Sequence, residues 1–225
     1  MSEKILMMET STECCSAAVS DGAAILAQRI NDTPKMHASQ LAPYLQEVLQ
    51  EAGLKAADLD AVAVSAGPGS YTGLRVGVST AKGFCFGCGK PLIGVDTLRI
   101  LALQAKGTFN RIVPMLDARR MEVYAAVFDC AGQRLSPTEA VILDETSYQD
   151  LLAAGTVLFI GPGAEKFQSV CAHPNASFQI CCPMAPAMLT PAREALQKKE
   201  FEDIAYFEPF YLKDFVAGVS KKAVL

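Results

Sequence analysis

The chain has 225 residues, enough for one large domain or two lobes of roughly a hundred residues each. Hydrophobic residues make up 51% and charged residues 20%, yet no apolar run approaches the ~18–20 residues that a spanning helix needs. The apolar surplus is expected in a core or against partners. A net charge of −4, with the basic residues scattered, argues against nucleic-acid binding by the chain itself, which usually shows a basic stripe. A role beside RNA through a partner stays open.

The opening MSEKILMMET has an acid and only a short apolar run, with no basic segment and cleavage site. It reads as no secretory leader, so a cytoplasmic protein without a membrane segment is expected. Residues 5–9 read as a buried strand ending in Glu9-Thr10-Ser11-Thr12. Residues 14–20 read as a returning strand, Asp21-Gly22 as a hairpin turn and residues 24–30 as a third strand. Leu41, Leu45, Val48 and Leu49 keep one face of a helix over 39–52, with Pro43 in its first turn and Gly53 as its stop. A strand over 60–66 enters SAGPGSYTGLRVG. A helix then runs to about Cys88, followed by a short strand at 92–95 and a helix over 97–105.

The order then repeats. Residues 112–117 again read as a strand ending in an acid, and Asp117 falls on Glu9 at an offset of 108. Ala17-Ala18-Val19 falls on Ala125-Ala126-Val127 at the same offset. Gly161-Pro162-Gly163 follows a strand, as Gly67-Pro68-Gly69 does. The shared order points to a duplication that builds two mixed α/β lobes. Their boundary is expected near Lys106-Gly107, giving lobes of residues 1–106 and 107–225. An aromatic tail over 201–225 is expected to pack over one lobe.

The glycine-rich stretch fails both phosphate-binding patterns. No lysine follows Gly73, as a P-loop requires, and Thr72 stands where the dinucleotide fingerprint needs its third glycine. What remains is a turn at a helix N-terminus, where Ser70 and Thr72 are placed to cap the helix or touch an anion, with capping the expected role. Gly73, Gly77, Ala81 and Cys85 recur every four residues, so they share one helix face. Glycine costs a helix about 1 kcal/mol against alanine, which implies a close approach by a neighbouring element or by another protein.

The eight cysteines are expected to be reduced. Cys85-Phe86-Gly87-Cys88 closes a helix and has no second ligand pair, so neither a metal nor a redox role is expected of it. Catalytic groups are sparse, with two histidines and no G-x-S-x-G. Glu9 and Asp117 would be acidic ligands for a Mg²⁺–nucleotide if the lobes closed on one. From spacing alone, a solvated strand end is the better reading of each.

SAGPGSYTGLRVG, ILMMETSTECCSAAV, LDARRMEVYAAVF, FIGPGA and EPFYLKDF together resemble the TsaB (YeaZ) family over residues 5–215. That resemblance implies a duplicated actin-like, Hsp70-like (ASKHA) fold. It also implies a bacterial accessory protein for threonylcarbamoyladenosine formation on ANN-decoding tRNAs. Such a protein is a non-catalytic relative of TsaD that binds TsaD, works with the ATPase TsaE, meets tRNA only indirectly, and forms homodimers when alone. Thr97 and Leu101 stand where the family's catalytic relative has metal histidines, so no metal and no cofactor is expected. The nucleotide-site remnants would be Glu9, Thr10, Ser11, Gly67, Gly69, Ser70, Asp117, Gly161 and Gly163. The helices over 39–52 and 70–88 would form the partner surface, with Leu41, Leu45, Gly73, Gly77, Ala81 and Cys85 as candidates. The family's first-strand motif ends Asp-Thr-Ser and this chain has Glu9-Thr10-Ser11, one methylene longer. Two alternatives are an ATP-dependent kinase-like enzyme on the same fold and, last, a glycoprotein endopeptidase, for which the sequence has no zinc motif.

Overall fold

A computed structural model describes residues 2–31 and 37–213, with residues 37 and 38 described by backbone only. The first lobe contains β1 (Lys4–Glu9), β2 (Cys15–Asp21), β3 (Ala24–Asn31), α1 (His37–Glu51), β4 (Ala61–Gly67), α2 (Tyr71–Cys88) and β5 (Leu92–Asp96). Its sheet runs β3-β2-β1-β4-β5. After α3 (Thr97–Ala102) come β6 (Arg111–Asp117), β7 (Glu122–Ala125), β8 (Glu139–Ile142), α4 (Gln149–Ala154), β9 (Val157–Ile160), α5 (Ala164–Gln168) and β10 (Ala176–Gln179). The second sheet runs β8-β7-β6-β9-β10. Both halves have the same element order and the same sheet order, with antiparallel hairpins on one side and parallel crossovers on the other. The expected duplicated α/β architecture is present.

β1 is central because both of its faces are apolar. Leu6 and Met8 point into a core with Val48, Val62 and Val78, under α1 and α2. Ile5 and Met7 point the other way, to Ala185, Met188 and Ala192. The latter three lie in a 3₁₀ turn at Ala185–Met188 and in α6 (Leu189–Lys198). Residues 180–184 therefore carry the chain back from the second sheet to the first. The return begins well before the expected tail.

Residues 201–213 continue along the first lobe. Leu92 and Glu202 form an antiparallel bridge, Lys82 Nζ donates to the carbonyls of Ala205 and Phe207, each at 3.1 Å, and the Phe210 amide donates to Ala66 O at 2.7 Å. Lys213 Nζ then reaches Glu122 Oε1 in the second lobe at 2.6 Å. Asp214 and Lys221-Lys222 lie outside the described residues.

Two helix boundaries differ from expectation. α1 begins at His37, so Pro43 lies inside the helix and not in its first turn; the apolar stripe on the opposite face holds the helix despite the missing N–H. α3 ends at Ala102, and residues 103–105 tighten into i→i+3 turns through Gln104 N to Leu101 O and Ala105 N to Ala102 O.

Candidate functional site

The residues expected at a nucleotide-type site fall into two clusters, one per half. In the first, Glu9 ends β1 and is fully buried. Its Oε1 accepts from the Ser11 amide at 2.6 Å, while Oε2 makes no well-aligned hydrogen bond among the described residues. Burial pushes this carboxyl up to about 7; the Ser11 hydroxyl and amide, the Ser65 hydroxyl and the Thr10 amide pull partly the other way.

Thr10 and Ser11 are gripped by the glycine-rich turn. The Thr10 hydroxyl donates to Gly73 O at 2.7 Å. The Ser70 amide donates to Ser11 O at 2.7 Å. A Cβ on Gly69 would stand 2.5 Å from that same carbonyl oxygen. The Ser70 hydroxyl caps α2 by accepting from the Gly73 amide at 3.3 Å. Gly67, at φ +104°, is overlain by the Phe210 carbonyl, which a Cβ there would meet at 2.5 Å. The donors of this turn thus hold the chain's own loop.

The small-residue face of α2 has the same internal use. A Cβ on Gly73 would strike the Thr10 carbonyl, and one on Gly77 would strike the Thr10 hydroxyl. Ala81, Cys85, Leu41 and Leu45 are buried in the first core. These six residues were expected at a partner surface; Gly73, Gly77, Ala81 and Cys85 are turned inward by the close packing of α2 on the first sheet and Leu41 by that of α1, while Leu45 is buried at the floor of the groove between the two helices.

The two helices were expected to form the partner surface, but of the residues that line the outer side only Leu45 was named. An apolar groove of about 430 Å³ opens between α1 and α2, lined by Ala42, Leu45, Gln46, Leu49, Thr80 and Phe84. Gly83 and Gly87 face open space beside it. Their i,i+4 spacing was the available signal.

In the second cluster Asp117 ends β6, with its side chain 49% exposed. Its Oδ1 accepts from the Arg119 amide at 2.6 Å and from Lys166 Nζ on α5 at 2.8 Å. Gly161, at φ +116°, lies against Met115 O, 2.5 Å from where its Cβ would be. The Gly163 amide donates to that same oxygen at 2.9 Å. A Mg²⁺–nucleotide would need accessible carboxylates free to ligate through oxygen. Glu9 is sealed and Asp117 already holds a cationic side chain, so this donor set does not fit the ion. No three His, Cys, Asp or Glu side chains converge on a metal position among the described residues. Thr97, at the start of α3, and Leu101, near its end, are fully buried.

The cysteines depart from expectation at one place. Cys14 and Cys182, 168 residues apart, are joined as a disulfide with Cα atoms 6.2 Å apart. Sequence spacing could not indicate this pair, because only the return of residues 180–184 brings them together. Cys85 is a buried thiol, pushed up to about 12 by burial, and Cys88 Sγ donates to Cys85 O at 3.9 Å.

A repeated actin-like architecture of two mixed α/β halves defines the class. The chain belongs to the family described as TsaD: tRNA N6-adenosine threonylcarbamoyltransferase, whose sequence profile matches residues 25–221. Within it the expected likeness to the TsaB (YeaZ) type is borne out. The Escherichia coli (strain K12) tRNA threonylcarbamoyladenosine biosynthesis protein TsaB is 29% identical over 223 residues, covering 95% of this chain and 96% of that protein. The solved structure of YeaZ from Pseudomonas aeruginosa superposes with a TM-score of 0.81 at 27% identity, over 93% of this chain and 100% of that one. The activator of 2-hydroxyisocaproyl-CoA dehydratase from Clostridium difficile, solved with ADPNP, has a TM-score of 0.50 at 11% identity over 89% of this chain and 98% of its own. It shares the fold alone.

Proposed function

We propose that the chain is an accessory subunit of tRNA threonylcarbamoyladenosine formation: it binds and activates a TsaD-type transferase acting on adenosine in ANN-decoding tRNAs, and transfers nothing itself. The end-to-end likeness to TsaB carries the reading. The internal use of Glu9, Asp117 and both GPG turns supports the non-catalytic part. It also disfavours the kinase-like alternative, which needs an accessible acid and a free phosphate loop. TsaE enters through the pair with TsaD, tRNA is met through that assembly, and the cytoplasm is where such a complex works. Among the described residues no helix is long and apolar enough to cross a membrane.

Docking is assigned to the exposed side of α1 and α2. The groove is apolar, and Gly83 and Gly87 let a partner helix approach closely. The test is co-purification with the cognate TsaD, followed by reconstitution with TsaE, ATP and threonylcarbamoyl-adenylate. The parent should form the complex and restore modification, whereas Gly83→Leu and Ala42→Arg should fold normally and lose both. Full modification without this chain would sink the reading. Self-association that competes with TsaD would place the homodimer on the same face.

A further inference from the structure

The segment that returns from the second sheet to the first is tied at three points. Gln104, in the connection between the lobes, receives the Met184 amide on Oε1 at 2.8 Å and donates from Nε2 to Cys182 O at 2.9 Å. Ser16 on β2 accepts the Ala185 amide at 2.9 Å. The third tie is the Cys14–Cys182 disulfide, which fastens the β1–β2 turn to the same segment. That turn, residues 10–14, closes over Glu9, whose Oε2, like the hydroxyls of Ser11 and Thr12, is buried and makes no well-aligned hydrogen bond among the described residues. The first two ties are ordinary hydrogen bonds. The third can be made and broken by chemistry.

We propose that Cys14 and Cys182 form a reversible thiol–disulfide latch, which in its oxidised form pins the β1–β2 turn against residues 180–185 and in its reduced form releases it. The exchanging species is a small thiol–disulfide couple of the glutathione class. In reduction a thiolate attacks Sγ of Cys182, the more exposed of the two residues, while Cys14, 8% exposed, leaves as thiolate and takes a proton. A second small thiolate then displaces Cys182 from the mixed disulfide, so two thiols become one small-molecule disulfide and the protein gains two thiols. Oxidation is the reverse. Each cysteine has a cysteine neighbour, yet the pairing is kept. Cys15 is buried and pushed up to about 11 by burial and by the nearby Glu9, and burial also raises Cys181. Neither neighbour offers much thiolate to capture the exchange. The latch does not depend on the role proposed above.

The full-length protein is equilibrated across glutathione buffers from fully reduced to fully oxidised, quenched by alkylation and mapped by mass spectrometry. Amide exchange is followed on the same samples. One reversible crosslink is expected, between Cys14 and Cys182, with Cys15 and Cys181 outside it. Exchange over residues 10–16 and 180–188 should slow at least tenfold on oxidation, with strands β4 and β6 unchanged. C14S and C182S should exchange at the reduced rate in every buffer, and C130S, at an exposed cysteine, should behave as the parent. The parent comparison stands without the variants if either fails to fold. No crosslink at any ratio, a crosslink between other cysteines, or equal exchange in both states of the parent overturns the proposal.

Discussion

Glu9 and Asp117 hold the same place in the two repeats and make the same bond. Each ends the central strand of its sheet, and each carboxylate accepts from the amide two residues on, at 2.6 Å in both cases. Their surroundings then diverge. Glu9 is sealed beneath the β1–β2 turn, while Asp117 reaches solvent and pairs with Lys166. One inherited position has become a buried neutralisable acid and the other a surface ion pair.

The first prediction concerns pH. Glu9 titrates near 4.5 when unfolded and at about 7 when folded. The folded state therefore holds a proton that the unfolded state has lost, so this residue makes stability fall as pH rises from 4.5 to about 7. The full loss is about 3 kcal/mol, taking 1.36 kcal/mol per unit. Glu9→Gln should remove that slope, matching the parent near pH 4 and exceeding it at pH 8. Denaturation midpoints of both proteins across this range check it; parallel curves would refute the buried, protonated carboxyl.

Two glycines on α2 should respond in opposite ways. Gly77→Ala drives a methyl into the Thr10 hydroxyl and should cost about 1–3 kcal/mol. Gly83→Ala meets open space and should gain about 0.5–1 kcal/mol from helix propensity. Urea unfolding of the pair tests this, and a stabilised Gly77 variant would contradict the packing of α2 on β1.

The paired turns should be equally intolerant. Gly67 and Gly161 both have positive φ, with a carbonyl oxygen where a Cβ would go. Alanine at either should cost about 1–3 kcal/mol. A thermal shift near zero at Gly67 would mean that the Phe210 segment does not lie over the turn in solution.

Lys166→Met frees the Asp117 carboxylate from its cation. Because the carboxylate is half-exposed, the loss should stay within about 1 kcal/mol. Calorimetry with Mg-ATP should show no saturable heat for the parent or the variant. Saturable binding by the variant, abolished by adding Asp117→Ala, would revive the nucleotide-dependent reading.

The duplication was legible in the sequence because its signals are local. Strand, acid, hairpin and GPG turn follow one another within a few residues, and backbone preference with apolar periodicity specifies each. The capping role of Ser70 was legible for the same reason. The sequence also marked Gly73, Gly77, Ala81 and Cys85 as one face, since helical spacing needs no tertiary knowledge. It could not say what that face meets. Only the fold set β1 under it and left Gly83 and Gly87 outside, because a helix has two sides and periodicity does not name the neighbour. The fates of Glu9 and Asp117 were likewise decided in three dimensions, by what closes over one and which lysine on α5 reaches the other. The Cys14–Cys182 pair lies furthest beyond a linear reading: it exists because residues 180–184 recross to the first lobe, and contacts across 168 residues leave no spacing signal along the chain.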